Sequence, residues 1–130
     1  MDNMVYNKVK HLLVEVLDLQ EDQITPATFL YRDLHLESAE TLELTFTLEQ
    51  EFDISIGNQE FWNVPNVIAN QGMYSNGKFS AEAVSLIRQY FNVSDEELSG
   101  IVSPYDLFNY VTVENMVDFV ASKMKTSANS

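Results

Sequence analysis

The sequence predicts an all-α protein: a helical bundle with an additional helical insertion between its second helix and its closing helix. Two observations carry this. Apolar residues recur at helical spacing in three stretches, over residues 4–19, 38–52 and 111–120. The segment between the last two contains Phe61, Trp62, Val64, Val67, Ile68, Met73, Tyr74 and Phe79, too much apolar surface for a solvated linker, so it reads as folded. A chain of 130 residues with 45% hydrophobic content can bury one core, and a single domain is expected.

The first stripe is Val5, Val9, Leu12, Leu13, Val16 and Leu17, on a helix from Met4 to Leu19 that Gln20-Glu21-Asp22 ends. Pro26 biases Thr25 away from helix and starts an irregular crossover holding Phe29, Leu30 and Leu34. A second helix is expected from about Ser38 to Phe52. Ala39, Leu42, Leu44, Phe46, Leu48 and Phe52 give it a broad inner face, and Glu40, Glu43, Gln50 and Glu51 an outer one. Thr41 rather than an acid stands third after Ser38, so no capping box is built on that serine.

In the insertion a helix is expected over about Gln59 to Asn70, kinked or restarted by Pro65, with Gly72 as its stop. Ser75-Asn76-Gly77-Lys78 reads as a tight turn. Ser80 caps a helix to about Phe91, and Ser94-Asp95-Glu96-Glu97 is a capping box that opens a shorter one. Asp106-Leu107-Phe108 reads as a short turn. The aromatic residues Phe61, Trp62, Tyr74, Phe79, Tyr90 and Phe91 must pack on the bundle or form a surface for a partner. In the closing helix Thr112 is the N-cap, Glu114 lies in the first turn and Lys123 and Lys125 lie near the end, as the helix dipole prefers. Val113, Met116, Val117 and Val120 face the core, and the small polar tail 126–130 is expected to fray.

Charge narrows the function. Twenty acids against seven bases give a net charge of −13, which repels nucleic acid and anionic membrane surfaces. Proteins with basic patches are the partners such a field attracts. With no cysteine there is neither a disulfide nor a thiolate metal site. The first eight residues hold no signal-type apolar core and no run approaches membrane-spanning length, so a cytoplasmic monomer is expected. His11 and His35, the two histidines, have no neighbours at ligand spacing. Glu40 and Glu43 share a helix face but nothing apolar encloses them, which makes a solvated face rather than an acid–base pair. Calcium loops, glycine-rich phosphate loops and nucleophile elbows are all missing, so neither catalytic residues nor a metal are expected, and the chain is read as no enzyme.

Asp33-Leu34-His35-Leu36-Glu37-Ser38-Ala39-Glu40, running on to Glu43-Leu44 and Glu51-Phe52-Asp53, sets a serine among acids where an amphipathic helix opens. No lysine or arginine occurs between Arg32 and Lys78. This resembles the acyl carrier proteins, whose hallmark is Asp-Leu-Gly, two further positions, then Asp-Ser-Leu leading into their second helix. Residues 111–120 resemble the last helix of that family, which a Thr-Val pair opens. The resemblance covers a carrier core of about 4–56 and 111–125 and leaves an insertion of about 57–110 outside it.

The resemblance implies that Ser38 carries 4'-phosphopantetheine, attached from coenzyme A by a phosphopantetheinyl transferase. It implies that the arm holds an acyl or polyketide intermediate as a thioester for acyl-loading and acyl-transferring enzymes with basic patches, as in fatty acid, lipid or polyketide biosynthesis. A peptidyl carrier loading an amino acid and an unmodified acidic interaction module are the alternatives. Glu37, Ala39, Glu40 and Glu43 would then be the positions that partners recognise. Glu37 stands where the family has aspartate, Ala39 where it has leucine and His35 where it has glycine, which implies a specialised carrier with dedicated partners. The chemistry suits the position: modification leaves a phosphodiester at a helix N-terminus, where free N–H groups and the dipole favour an anion. The transferase supplies base and metal, so the serine needs no histidine in its own chain.

Overall fold

The computed structural model describes residues 2–128, with side chains through residue 125. The chain falls into two compact units, Met1–Ile56 with Thr112–Ser130, and Gly57–Val111.

In the first unit, helix α1 spans Asn3–Leu17, α2 spans Ser38–Phe52 and the closing helix α6 spans Val113–Ala128. The Asp2 carboxylate caps α1 by accepting from the Val5 N–H at 3.0 Å. Asp18, in the left-handed conformation (φ 54°), ends it short of the expected Leu19. α1 packs against α2 and α6, burying Val5, Val9, Leu12 and Leu13. From α2 come Leu44, Leu48 and Phe52, and from α6 come Val113, Met116, Val117 and Val120, all fully buried. Lys8 on α1 lies 5.9 Å from the centre of the Phe52 ring, a cation–π contact between two of the packed helices.

Helix α2 corrects the expected inner face. Leu44, Leu48 and Phe52 are spaced i, i+4, i+8 and share one side. Leu42 precedes Leu44 by two residues, about 200° around the helix, and is 58% exposed; Phe46, on the same side as Leu42, is 56% exposed. Ala39 is exposed as well.

The crossover between α1 and α2 is a structured loop. After a single 3₁₀ turn, Glu21–Gln23, Ile24 is buried and Thr28 closes a turn by accepting from the Thr25 N–H at 2.9 Å. The carbonyls of Thr28 and Pro26 then accept from the N–H groups of Val113 and Glu114, both at 2.9 Å. Two backbone donors that the start of α6 leaves without intrahelical partners are satisfied in this way. Thr112 and Asn115 cap the same helix reciprocally: Thr112 Oγ1 accepts from the Asn115 N–H at 3.1 Å, and Asn115 Oδ1 accepts from the Thr112 N–H at 3.0 Å. α6 continues through Ala128, beyond the expected start of fraying at 126; residues 129–130 lie outside the described residues.

The second unit has two longer helices, α3 (Val64–Asn70) and α4 (Ala81–Tyr90), and a short one, α5 (Asp95–Ser99). The single helix expected over 59–70 is instead a 3₁₀ turn, Phe61–Asn63, followed by α3, with Pro65 in the first turn of the restarted helix. Gly72 at φ +66° ends it. Strands β1 (Tyr74–Ser75) and β2 (Lys78–Phe79) pair antiparallel around Asn76 (φ 55°) and Gly77 (φ 76°). Left-handed backbone at both central positions is what a two-residue hairpin turn requires, and Asn-Gly supplies it at least cost. The Ser80 hydroxyl caps α4 by accepting from the Ala83 N–H at 3.1 Å. Ser94 and Glu97 form the expected capping box of α5. The short turn expected at 106–108 is a longer 3₁₀ helix, Pro104–Tyr110, which packs on α3. Phe61, Trp62 and Phe91 are buried, and their rings meet one another: Phe61 lies 5.2 Å from Trp62 and 5.9 Å from Phe91 between centroids.

Candidate functional site

The site is built where the crossover loop delivers the chain into α2. Leu30 and Leu36 are buried, and the Leu36 N–H donates to the Leu30 carbonyl at 3.1 Å, so the loop between them closes on itself. Its interior is fixed by the Phe29 carbonyl, which accepts from the N–H groups of Asp33 and Leu34, and by Asp33 Oδ2, which accepts from the Phe29 N–H at 2.9 Å. The Arg32 guanidinium lies over the Phe29 ring, 4.6 Å from its centre. His35 has φ 55°, the left-handed backbone that glycine adopts without a Cβ penalty.

Glu37 is the N-cap residue of α2 and Ser38 its first helical residue. This moves the helix start by one position from a serine cap, and it supplies the capping box that reading from Ser38 missed. Glu40 Oε1 accepts from the Glu37 N–H at 3.0 Å. On its other side, the Glu37 carbonyl accepts from the Thr41 N–H at 2.8 Å and from the Thr41 hydroxyl at 3.0 Å. Burial pushes the Tyr31 phenol in the loop up to about 12, with the Thr41 side chain acting weakly in the opposite direction. The backbone immediately before Ser38 is therefore held at both the N–H and the carbonyl of Glu37. Ser38 itself is exposed, and among the described residues nothing in the chain hydrogen-bonds its hydroxyl.

Of the expected recognition residues, Glu37, Ala39 and Glu43 are exposed and Glu40 is half-buried. They stand within the first two turns of one helix, so the structure brings them together with Ser38. Glu40 differs from the others because its carboxylate is engaged at the helix start. Leu42 and Phe46 are large exposed apolar side chains on the same helix, and the sequence reading had turned them inward. Their i, i+4 spacing, offset from the Leu44, Leu48, Phe52 row, is the signal that separates the two faces. Among the described residues, no group of three or more His, Cys, Asp or Glu side chains is placed to hold a metal ion, and no helix is long and apolar enough to cross a membrane.

A family model described as the phosphopantetheine attachment site matches residues 7–69, which includes the loop and the whole of α2. An acyl carrier protein of a Picosynechococcus species is 36% identical over 56 residues, spanning 43% of this chain and 69% of the relative. The chain belongs to the acyl carrier protein family. A second acyl carrier protein, from Petrotoga mobilis, is 28% identical over 93 residues, spanning 72% of this chain and 94% of the relative. Acyl carrier proteins are carriers rather than enzymes, and this member takes a covalent 4'-phosphopantetheine group. Phosphopantetheinyl transferases modify members of the family, which work with acyl-handling enzymes. The residues at the start of α2 fit such a group: an unencumbered hydroxyl at the positive end of a helix, and solvent on the outer side.

Proposed function

We propose that Ser38 is the attachment residue and that the carrier presents an acyl or polyketide intermediate to partner enzymes. The observation that carries this reading is the Ser38 hydroxyl, exposed and without a partner among the described residues at the first position of α2, inside the matched segment 7–69. In the attachment step Ser38 Oγ bonds to the phosphorus that bears the pantetheine, the pyrophosphate bond of coenzyme A breaks, and adenosine 3',5'-bisphosphate leaves. A base on the transferase takes the hydroxyl proton. The group supplies a thiol that carries cargo as a thioester, and no cysteine of this chain competes for it. A phosphodiester on Ser38 would be favoured by the positive end of α2.

Glu37, Ala39, Glu40 and Glu43 are the recognition surface in this reading, joined by Leu42 and Phe46. Apolar side chains ringed by acids suit a partner with an apolar depression rimmed by Lys and Arg, the arrangement in which charge sets encounter rate and apolar contact sets residence. Acyl rather than aminoacyl cargo is favoured because both relatives above are named acyl carrier proteins. A net charge of −13 supports a monomer, since like-charged copies repel. Intact mass after incubation with coenzyme A and a phosphopantetheinyl transferase tests the assignment. One added phosphopantetheine is expected in the wild type and none in Ser38→Ala; modification that persists in the variant overturns it.

A further inference from the structure

We infer that Glu40 is a positioning residue for the attachment step: by holding the Glu37 N–H it fixes the backbone that sets the Ser38 hydroxyl, a task separate from the charge it shows to a partner. The inference rests on the reading that Ser38 takes the arm.

Ser38 needs such a hold because of where it stands. As the first residue of α2 it enters the helical ladder through its carbonyl alone, and its N–H is among the donors that a helix start leaves without an intrahelical acceptor. Upstream, the loop is closed by the bond from the Leu36 N–H to the Leu30 carbonyl at 3.1 Å, and both leucines are buried. Glu37 is the one residue between this closed loop and the helix, and its torsions, φ −102° and ψ 165°, form the joint. Two sets of contacts lock it. Glu40 Oε1 accepts from the Glu37 N–H at 3.0 Å, which fixes the peptide on the loop side. The Thr41 N–H and hydroxyl donate to the Glu37 carbonyl at 2.8 Å and 3.0 Å, which fixes the peptide shared with Ser38. Among the described residues nothing but Glu40 holds the Glu37 N–H. Glu43, one turn on, is exposed, whereas Glu40 is half-buried with an oxygen committed to this bond.

The consequence is kinetic. Transfer requires the hydroxyl to meet phosphorus in line, and a misplaced reacting group lowers the rate without loosening binding. A docking charge acts on the other quantity: it raises encounter with the partner and weakens with salt. Position therefore shows in kcat and charge in KM.

The test is steady-state modification of the full chain by a phosphopantetheinyl transferase at saturating coenzyme A, followed by intact mass. Glu40→Ala loses both bond and charge and is expected to lower kcat about three- to tenfold, the kinetic equivalent of one lost hydrogen bond. Glu40→Gln keeps an acceptor at the same place in the capping box but carries no charge, so it should restore kcat. The lost charge, common to both variants, appears in KM. Salt should leave the kcat ratio of wild type to Glu40→Ala unchanged. Ser94→Ala removes the hydroxyl that caps α5 in the second unit, a comparable loss of stability far along the chain, and should keep wild-type kcat. Wild-type kcat in Glu40→Ala, a kcat in Glu40→Gln as low as in Glu40→Ala, or an equal fall in Ser94→Ala each overturns the inference. Failure of the underlying reading looks different: the wild type gains no mass, or Ser38→Ala still gains it, and either result removes the inference together with the assignment.

Discussion

The Glu40 carboxylate accepts a hydrogen bond from the Glu37 backbone N–H at 3.0 Å, whereas the exposed Glu43 side chain, three residues on, bonds nothing among the described residues. Two acids that look equivalent in sequence thus do different work. Glu40→Ala should cost about 1 kcal/mol of stability through the lost cap, and Glu43→Ala should stay within about 0.5 kcal/mol of wild type. Denaturant unfolding of the two variants separates the roles. Reversal of Glu43 to lysine should slow modification by lowering association rate, and added salt should slow the wild type in the same way.

Ser38→Ala should melt within about 0.5 kcal/mol of the wild type while losing the phosphopantetheine mass gain, because the hydroxyl makes no hydrogen bond among the described residues. A large fall in stability would show that the serine is part of the helix cap after all.

Leu42 and Phe46 offer the complementary test. Replacing both with serine removes no core packing, since Leu44, Leu48 and Phe52 bury the opposite side of α2, so stability should change little. Turnover with acyl-handling partners should fall, with dissociation accelerated more than association is slowed. Equal rates for the double variant and the wild type would remove Leu42 and Phe46 from the recognition surface.

His35 occupies left-handed backbone at φ 55°. A side chain there costs about 1–2 kcal/mol, partly offset by the greater entropy that glycine loses on folding. His35→Gly should therefore raise unfolding stability by about 0.5–1 kcal/mol. An unchanged or lowered value would mean that the imidazole makes compensating contacts.

Burial of Tyr31 adds a pH dependence. Its phenol ionises near the ordinary 10.0 in the unfolded chain and near about 12 in the folded one, so folding favours the neutral form. That contribution is fully present below pH 10.0 and is lost as pH rises towards about 12. Melting temperature should fall across this window more steeply in the wild type than in Tyr31→Phe; the lysines titrate in both, so the difference belongs to Tyr31. Parallel curves would contradict it.

Much of this architecture is legible in residue order. Helical spacing locates α1, α2 and α6, and Thr112, Ser80 and Ser94 each cap the helix they precede, because a short oxygen-bearing side chain before an apolar stripe has few other uses. Asn76-Gly77 likewise fixes its turn. What escapes is whatever depends on angle or on distant partners. Leu42 and Phe46 differ from Leu44 and Leu48 only in their rotation about the helix axis, which a list of apolar positions does not separate. The cap at Glu37 escapes because Ser38 is the better cap by residue type, and only the bond from Glu40 decides between them.

The bonds from Val113 and Glu114 to the carbonyls of Thr28 and Pro26 act as a register lock on the closing helix. For α6 to slide along its axis or lift at its start, both bonds must break together, leaving two donors and two acceptors to be solvated at once. The first turn of α6 is thereby pinned to the crossover, and the closing helix takes its axial position from the loop that also leads to Ser38.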